Sequence, residues 1–118
     1  MSLDLLRLDE LPEWFLYPED FLQVVQSGLR DIGPWQILDG NWLRVRYDGM
    51  RKRFPERELV PFARRLDSDD VACWDRKTLP SVQVVHDFCS PGWEERGSHL
   101  SFKAWLLAVQ EEAREFDA

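Results

Sequence analysis

The sequence predicts an α+β fold: an antiparallel meander sheet of four to six strands, with an N-terminal helix and a closing C-terminal helix. Two observations carry that expectation. Apolar residues recur at helical spacing near both ends, at Phe21, Leu22, Val24, Val25 and Leu29 and again at Phe102, Trp105, Leu106, Val109, Ala113 and Phe116. Between these segments the rhythm changes to short apolar runs separated by turn residues. At 118 residues the chain has the length of one domain, so 1–118 reads as a single unit.

Residues 1–17 hold Leu3, Leu5, Leu6, Leu8, Leu11, Trp14 and Phe15, interrupted by Pro12, which disfavours one long helix. They read as an apolar arm packed on the body. Pro18 suits the first position of the first helix, and Glu19 and Asp20 place negative charge where the helix dipole favours it. Gly28 and Gly33-Pro34 are expected to close that helix.

Trp35–Leu38 reads as a strand ending in Asp39-Gly40-Asn41, a hairpin signal. Trp42, Val45 and Tyr47, interleaved with Arg44 and Arg46, read as a half-exposed strand that ends near Asp48-Gly49. Two further runs, Leu59–Leu66 and Val71–Trp74, flank Asp67-Ser68-Asp69-Asp70, a tetrad whose side chains can bond to their own backbone in a turn. Val82, Val84 and Val85 mark another strand leading into His86-Asp87-Phe88. Ser90-Pro91-Gly92 then breaks regularity, leaving Trp93-Glu94-Glu95-Arg96 irregular. Ser101 is placed to cap the last helix, whose Phe102 and Trp105 are expected in the core.

Seven Phe, six Trp and two Tyr supply core filling, each able to bury about 150–250 Å². Acidic residues outnumber basic ones by 22 to 15, for a net charge of −7. That balance speaks against nucleic acid or an anionic membrane as partner, because attraction to phosphate needs a basic surface. No apolar run is long enough to span a bilayer and no signal peptide is visible. Two cysteines, Cys73 and Cys89, are too few for a secreted disulfide scaffold, so the expected location is cytoplasmic. Charge is uneven: the stretch 44–65 holds eight basic and three acidic residues, a local +5 that leaves −12 elsewhere. It reads as the basic solvent face of a sheet, with an anion-binding or partner-docking stripe as the sharper alternative.

Chemistry is harder to find. Cys73, His86, Cys89 and His99 are zinc-type ligands, but no close Cys pair of the finger type is present, so no metal is expected. A calcium loop opening at Asp67 would need Gly where Ala72 stands and a bidentate Glu where Thr78 stands. His86 and Asp87, adjacent on a strand, would point to opposite faces, which weakens a His–Asp dyad. No nucleophile elbow, phosphate loop or dinucleotide fingerprint occurs. Arg44, Arg46 and Tyr47 could imitate a platform for single-stranded nucleic acid, but the ribonucleoprotein motifs are missing. The expectation is a non-enzyme without cofactors.

Two stretches carry a family resemblance. One runs Phe54-Pro55-Glu56-Arg57-Glu58-Leu59-Val60-Pro61-Phe62-Ala63-Arg64-Arg65, then Asp67 and Asp69-Asp70-Val71-Ala72-Cys73-Trp74. The other is Val84-Val85-His86-Asp87-Phe88-Cys89-Ser90-Pro91-Gly92-Trp93-Glu94, followed by the apolar face from Phe102 to Leu106. From Leu11 to Phe116 the chain resembles the SUKH superfamily, which includes cell-wall-assembly regulators and bacterial immunity proteins. Where members often carry an Asn-Gly pair after the first helix, this chain has Arg30-Asp31-Ile32-Gly33.

The resemblance implies a SUKH-like α+β domain without catalytic machinery. It also implies a protein-binding role, typically the neutralisation of a toxin domain, often a nuclease. An acidic surface would suit a basic nuclease cleft. On that reading the partner-binding residues are Asp67, Asp69 and Asp70 on their turn, and Trp93, Glu94 and Glu95 in the irregular segment, because Trp is enriched among interface hot spots. The alternative is a regulatory or scaffolding module with a cellular protein partner. An open meander leaves an exposed strand edge, so the chain is expected as a monomer or weak homodimer.

Overall fold

A computed structural model describes residues 3–90 and 92–116. Among these residues three helices and six strands follow one another as α1 (Glu19–Gln26), β1 (Asp31–Ile32), β2 (Trp35–Ile37), α2 (Gly40–Arg53), β3 (Leu59–Arg65), β4 (Asp70–Asp75), β5 (Val82–His86), β6 (Glu95–His99) and α3 (Phe102–Phe116). The strands form one antiparallel meander in chain order, β1 to β6. This is the expected α+β fold, with a helix before the sheet and a helix closing it. No helix among the described residues is long and apolar enough to cross a membrane.

On the front of the sheet, α1 and α3 cover an aromatic core. Phe62 and Trp74 lie 4.3 Å apart between ring centres, and Phe21 meets the Trp74 and Phe102 rings edge-on at 5.1 and 5.2 Å. Trp105 is fully buried and packs on Phe62 and Trp35 at 4.8 and 5.6 Å, in the edge-to-face geometry that aromatic quadrupoles favour. The Ala104 N–H donates to Ser101 Oγ at 3.1 Å, the cap expected of α3. The arm joins this face: Leu6 and Phe15 are buried, and Phe15 lies 5.0 Å from Trp74.

On the back lies α2, and here the structure corrects the sequence reading. Asp39-Gly40-Asn41 opens a helix rather than a hairpin, and Trp42, Arg44, Val45, Arg46 and Tyr47 belong to that helix rather than to a strand. Its inward face is Leu43, Tyr47 and Met50, spaced i, i+4, i+7, with Leu43 and Met50 each 1% exposed. Three inward residues among so many charges hide the helical period. Arg51, Lys52 and Arg53 in its last turn suit the negative end of the helix dipole.

Two strands escaped the sequence reading. Gly33-Pro34 forms the turn between β1 and β2 instead of closing α1, which ends near Gly28 at φ 92°. Gly33 itself has φ 57°, and a Cβ there would lie 2.8 Å from the Ala113 backbone, so only glycine lets α3 pass this close. The segment read as irregular contains β6, which pairs with β5 from Val82↔His99 to Val85↔Glu95. As an exposed edge strand, β6 has no apolar alternation to reveal it.

Candidate functional site

Neighbouring antiparallel strands carry distant sequence to one end of the sheet. Asp70 is the register partner of His86, so the turn before β4 and the loop after β5 leave the sheet side by side. The Asp87 N–H donates to the Asp69 carbonyl at 2.9 Å and locks them together. All six residues singled out from sequence lie on this turn, this loop or the strand starts beside them. They differ in what their side chains are free to do.

Asp67 is exposed and accepts from Arg65 Nε at 2.6 Å. Asp69 is exposed and its carboxylate has no partner among the described residues. Asp70 is half-buried, 2.8 Å from His86 Nδ1 and 3.6 Å from Arg96. Trp93 is the most exposed aromatic side chain among the described residues, at 81%. Glu94 turns back into the molecule, accepting from the Gly92 N–H at 2.6 Å and from Arg57 at 3.2 Å. Burial opposes its charge, but these donors outweigh it and hold its carboxyl below the ordinary value. Glu95 is half-exposed and pairs with Arg57 at 3.2 Å. Asp67, Asp69 and Trp93 therefore form the outward part, whereas Asp70 and Glu94 brace it.

A second cluster lies behind the first. The Asp87 carboxylate is fully buried and accepts from Arg46 Nη1 at 2.8 Å and from Arg53 Nε and Nη2, both at 2.7 Å. Its Oδ1 also accepts from the Phe88 N–H at 2.9 Å, a side chain to backbone bond at the end of β5. Burial raises the carboxyl pKa, but the two guanidinium groups and this N–H overcome that and keep it below the ordinary value. His86 and Asp87 do diverge: His86 joins Asp70, and Asp87 joins α2.

The basic stretch 44–65 is correspondingly not the solvent face of a sheet. Arg44 binds Asp4 and Glu10 of the arm, Arg46 and Arg53 bind Asp87, and Arg57 gathers Asp75, Glu94 and Glu95. These side chains attach α2 and the loop after it to acidic residues from four other parts of the chain. Read as a helix, the i, i+7 spacing of Arg46 and Arg53 would have shown that both reach one place.

Among the described residues no three His, Cys, Asp or Glu side chains come together to hold a metal. Cys73 is buried, which pushes its thiol pKa up, and Cys89 Sγ donates to the His86 carbonyl at 3.0 Å. A concavity of about 650 Å³ lies between the arm, α2 and the start of β3 and is lined by Leu11, Trp14, Tyr47, Arg51 and Pro55 among others. Compared with protein-family models, curated proteins and solved structures, the chain matches none.

Proposed function

We propose that this chain is a SUKH-type immunity module that acts in the cytoplasm without chemistry of its own, covering the active cleft of a toxin domain. The observation that carries this reading is the end of the sheet where Trp93 stands 81% exposed beside the acidic turn. An exposed indole on a braced loop gives a partner a large contact area at little ordering cost. Asp67 and Asp69 add negative charge that would speed encounter with a basic cleft, such as that of a nuclease.

The test is affinity purification from the native host, with toxin expressed, using the wild-type chain and an Asp67→Lys/Asp69→Lys/Trp93→Ala variant. The wild type should retain a stoichiometric partner that is toxic when expressed alone, and the variant should lose it. A retained partner that is harmless, or equal retention by the variant, overturns the proposal. Asp70 and Glu94 are left intact because their internal bonds would confuse loss of binding with loss of structure.

A further inference from the structure

Behind the acidic end lies a surface of opposite charge. On α2, Trp42, Arg46, Gly49 and Arg53 share one side of the helix at i, i+4, i+7 and i+11, with Val45 beside them. Trp42 is 73% exposed and Val45 59%. The Arg64 guanidinium lies over the Trp42 ring at 5.9 Å. At the other end of the stripe stands Phe88, 62% exposed, with the Arg53 guanidinium 4.0 Å from its ring centre and that of Arg46 at 5.7 Å.

Phe88 is strained into this position. Among the described residues it alone combines a side chain with a left-handed backbone, φ 62°. Packing of the core does not call for this, since the ring points into solvent. Asp87 enforces it, binding the Phe88 N–H and both arginines at once. Gly49 contributes as well: a Cβ there would lie 2.7 Å from the Arg53 guanidinium nitrogens, so glycine gives Arg53 its path along the helix. Strain at an exposed aromatic, held by a fully buried carboxylate, is a sign of function.

We propose that the α2–Phe88 surface docks a protein segment carrying apolar side chains flanked by carboxylates. Arg46 and Arg53 share a single carboxylate, Asp87, and Arg64, bonded to the Gln36 side-chain oxygen, lies over Trp42, which leaves the patch positive on a chain of net charge −7. Arg46 Nε and Nη2 and Arg53 Nη1 have no acceptor among the described residues, and a carboxylate is the acceptor that their planar fork fits. Trp, Phe and Arg are residue types that dominate binding energy at protein interfaces, and rings held in place lower the ordering cost. The overall acidity of the chain disfavours phosphate-rich polymers on the same patch. This inference rests on other residues than the toxin reading and stands apart from it.

The test titrates the full chain with a fluorescent peptide of alternating glutamate and leucine. Its lysine-for-glutamate copy, its serine-for-leucine copy and a single-stranded oligonucleotide are run alongside. Phe88→Gly removes the ring while supplying the residue best suited to the left-handed backbone, so its thermal melt should stay close to wild type. Trp42→Ala tests the far end at an exposed site. Saturable, salt-sensitive binding of the glutamate–leucine peptide is expected, weakened about tenfold or more by either substitution. An Asp69→Lys/Trp93→Ala variant should bind it as the wild type does, which separates this surface from the acidic end. Absent binding, undiminished binding by Phe88→Gly and Trp42→Ala, or preference for the lysine copy or the oligonucleotide would each overturn the proposal.

Discussion

The two faces of the sheet are held down by different forces. On the front, Phe21, Phe62, Trp74, Phe102 and Trp105 are 2% exposed or less and form a dry aromatic layer. On the back, α2 adds only Leu43 and Met50 to the fully buried core, and its position is set as much by arginines reaching carboxylates on the arm and the β5–β6 loop. Dispersion and hydrophobic burial are non-directional and tolerate rearrangement, whereas a buried carboxylate needs its donors in place. The front therefore accounts for stability and the back for geometry. The two candidate surfaces both grow from the geometric side, at Asp87 and the loop that it starts.

Substitutions sharpen this contrast. The largest loss is expected for Trp74→Ala, about 3–5 kcal/mol in chemical denaturation, since the residue is fully buried among five other rings. Trp74→Phe should cost much less, because it also removes a buried indole N–H that has no partner among the described residues. If the two cost the same, front-face stability does not come from buried ring volume.

On the back, Asp87→Asn should cost about 2–3 kcal/mol, having removed the charge on which two partly buried arginines converge. Its distinguishing sign is pH. The folded-state pKa of Asp87 is lowered, so its contribution is present above the ordinary value of 3.8 and fades as pH falls below it. The Asn variant should lack that part of the acid sensitivity. Equal acid sensitivity in both proteins would remove Asp87 as the anchor of α2.

Gly33→Ala tests the front at a contact that allows no added atom. A loss of about 1–3 kcal/mol is expected from the left-handed backbone and the close Ala113 backbone, read as a lowered melting temperature. The smallest effect should come from Glu10→Gln, which touches only the strap between arm and α2. The Arg44 guanidinium, with help from the Arg7 N–H, pulls the Glu10 pKa from 4.5 to about 2. Its contribution is thus complete above 4.5 and lost as pH falls through about 2. Denaturation midpoints of wild type and variant should converge over that window and separate above it.

Legibility in the sequence followed the same division. The front helices repeat apolar residues at helical spacing, which marks α1 and α3, and short apolar runs between turn residues mark β2, β3, β4 and β5. The end of α1, which the sequence places as late as Gly33-Pro34, comes earlier, at Gln26. α2 reads as a strand from sequence because its inward face is only Leu43, Tyr47 and Met50, while its remaining contacts are made by arginines whose partners lie far away in sequence. β6 gave no signal, because an exposed edge strand needs no apolar face. Of the site, residue type and local turn chemistry point to Asp67, Asp69, Asp70, Trp93, Glu94 and Glu95. Nothing local distinguished the outward Asp69 from the inward Glu94.

The sequence by itself determined the α+β class, the apolar strands β2 to β5 and the aromatic core, because hydrophobic burial acts through local pattern and composition. Only the tertiary structure decided which charges are free and which are braces. Ion pairing depends on distance in space: Arg46 and Arg53 meet Asp87 across 41 and 34 residues of chain, and no local pattern encodes that meeting.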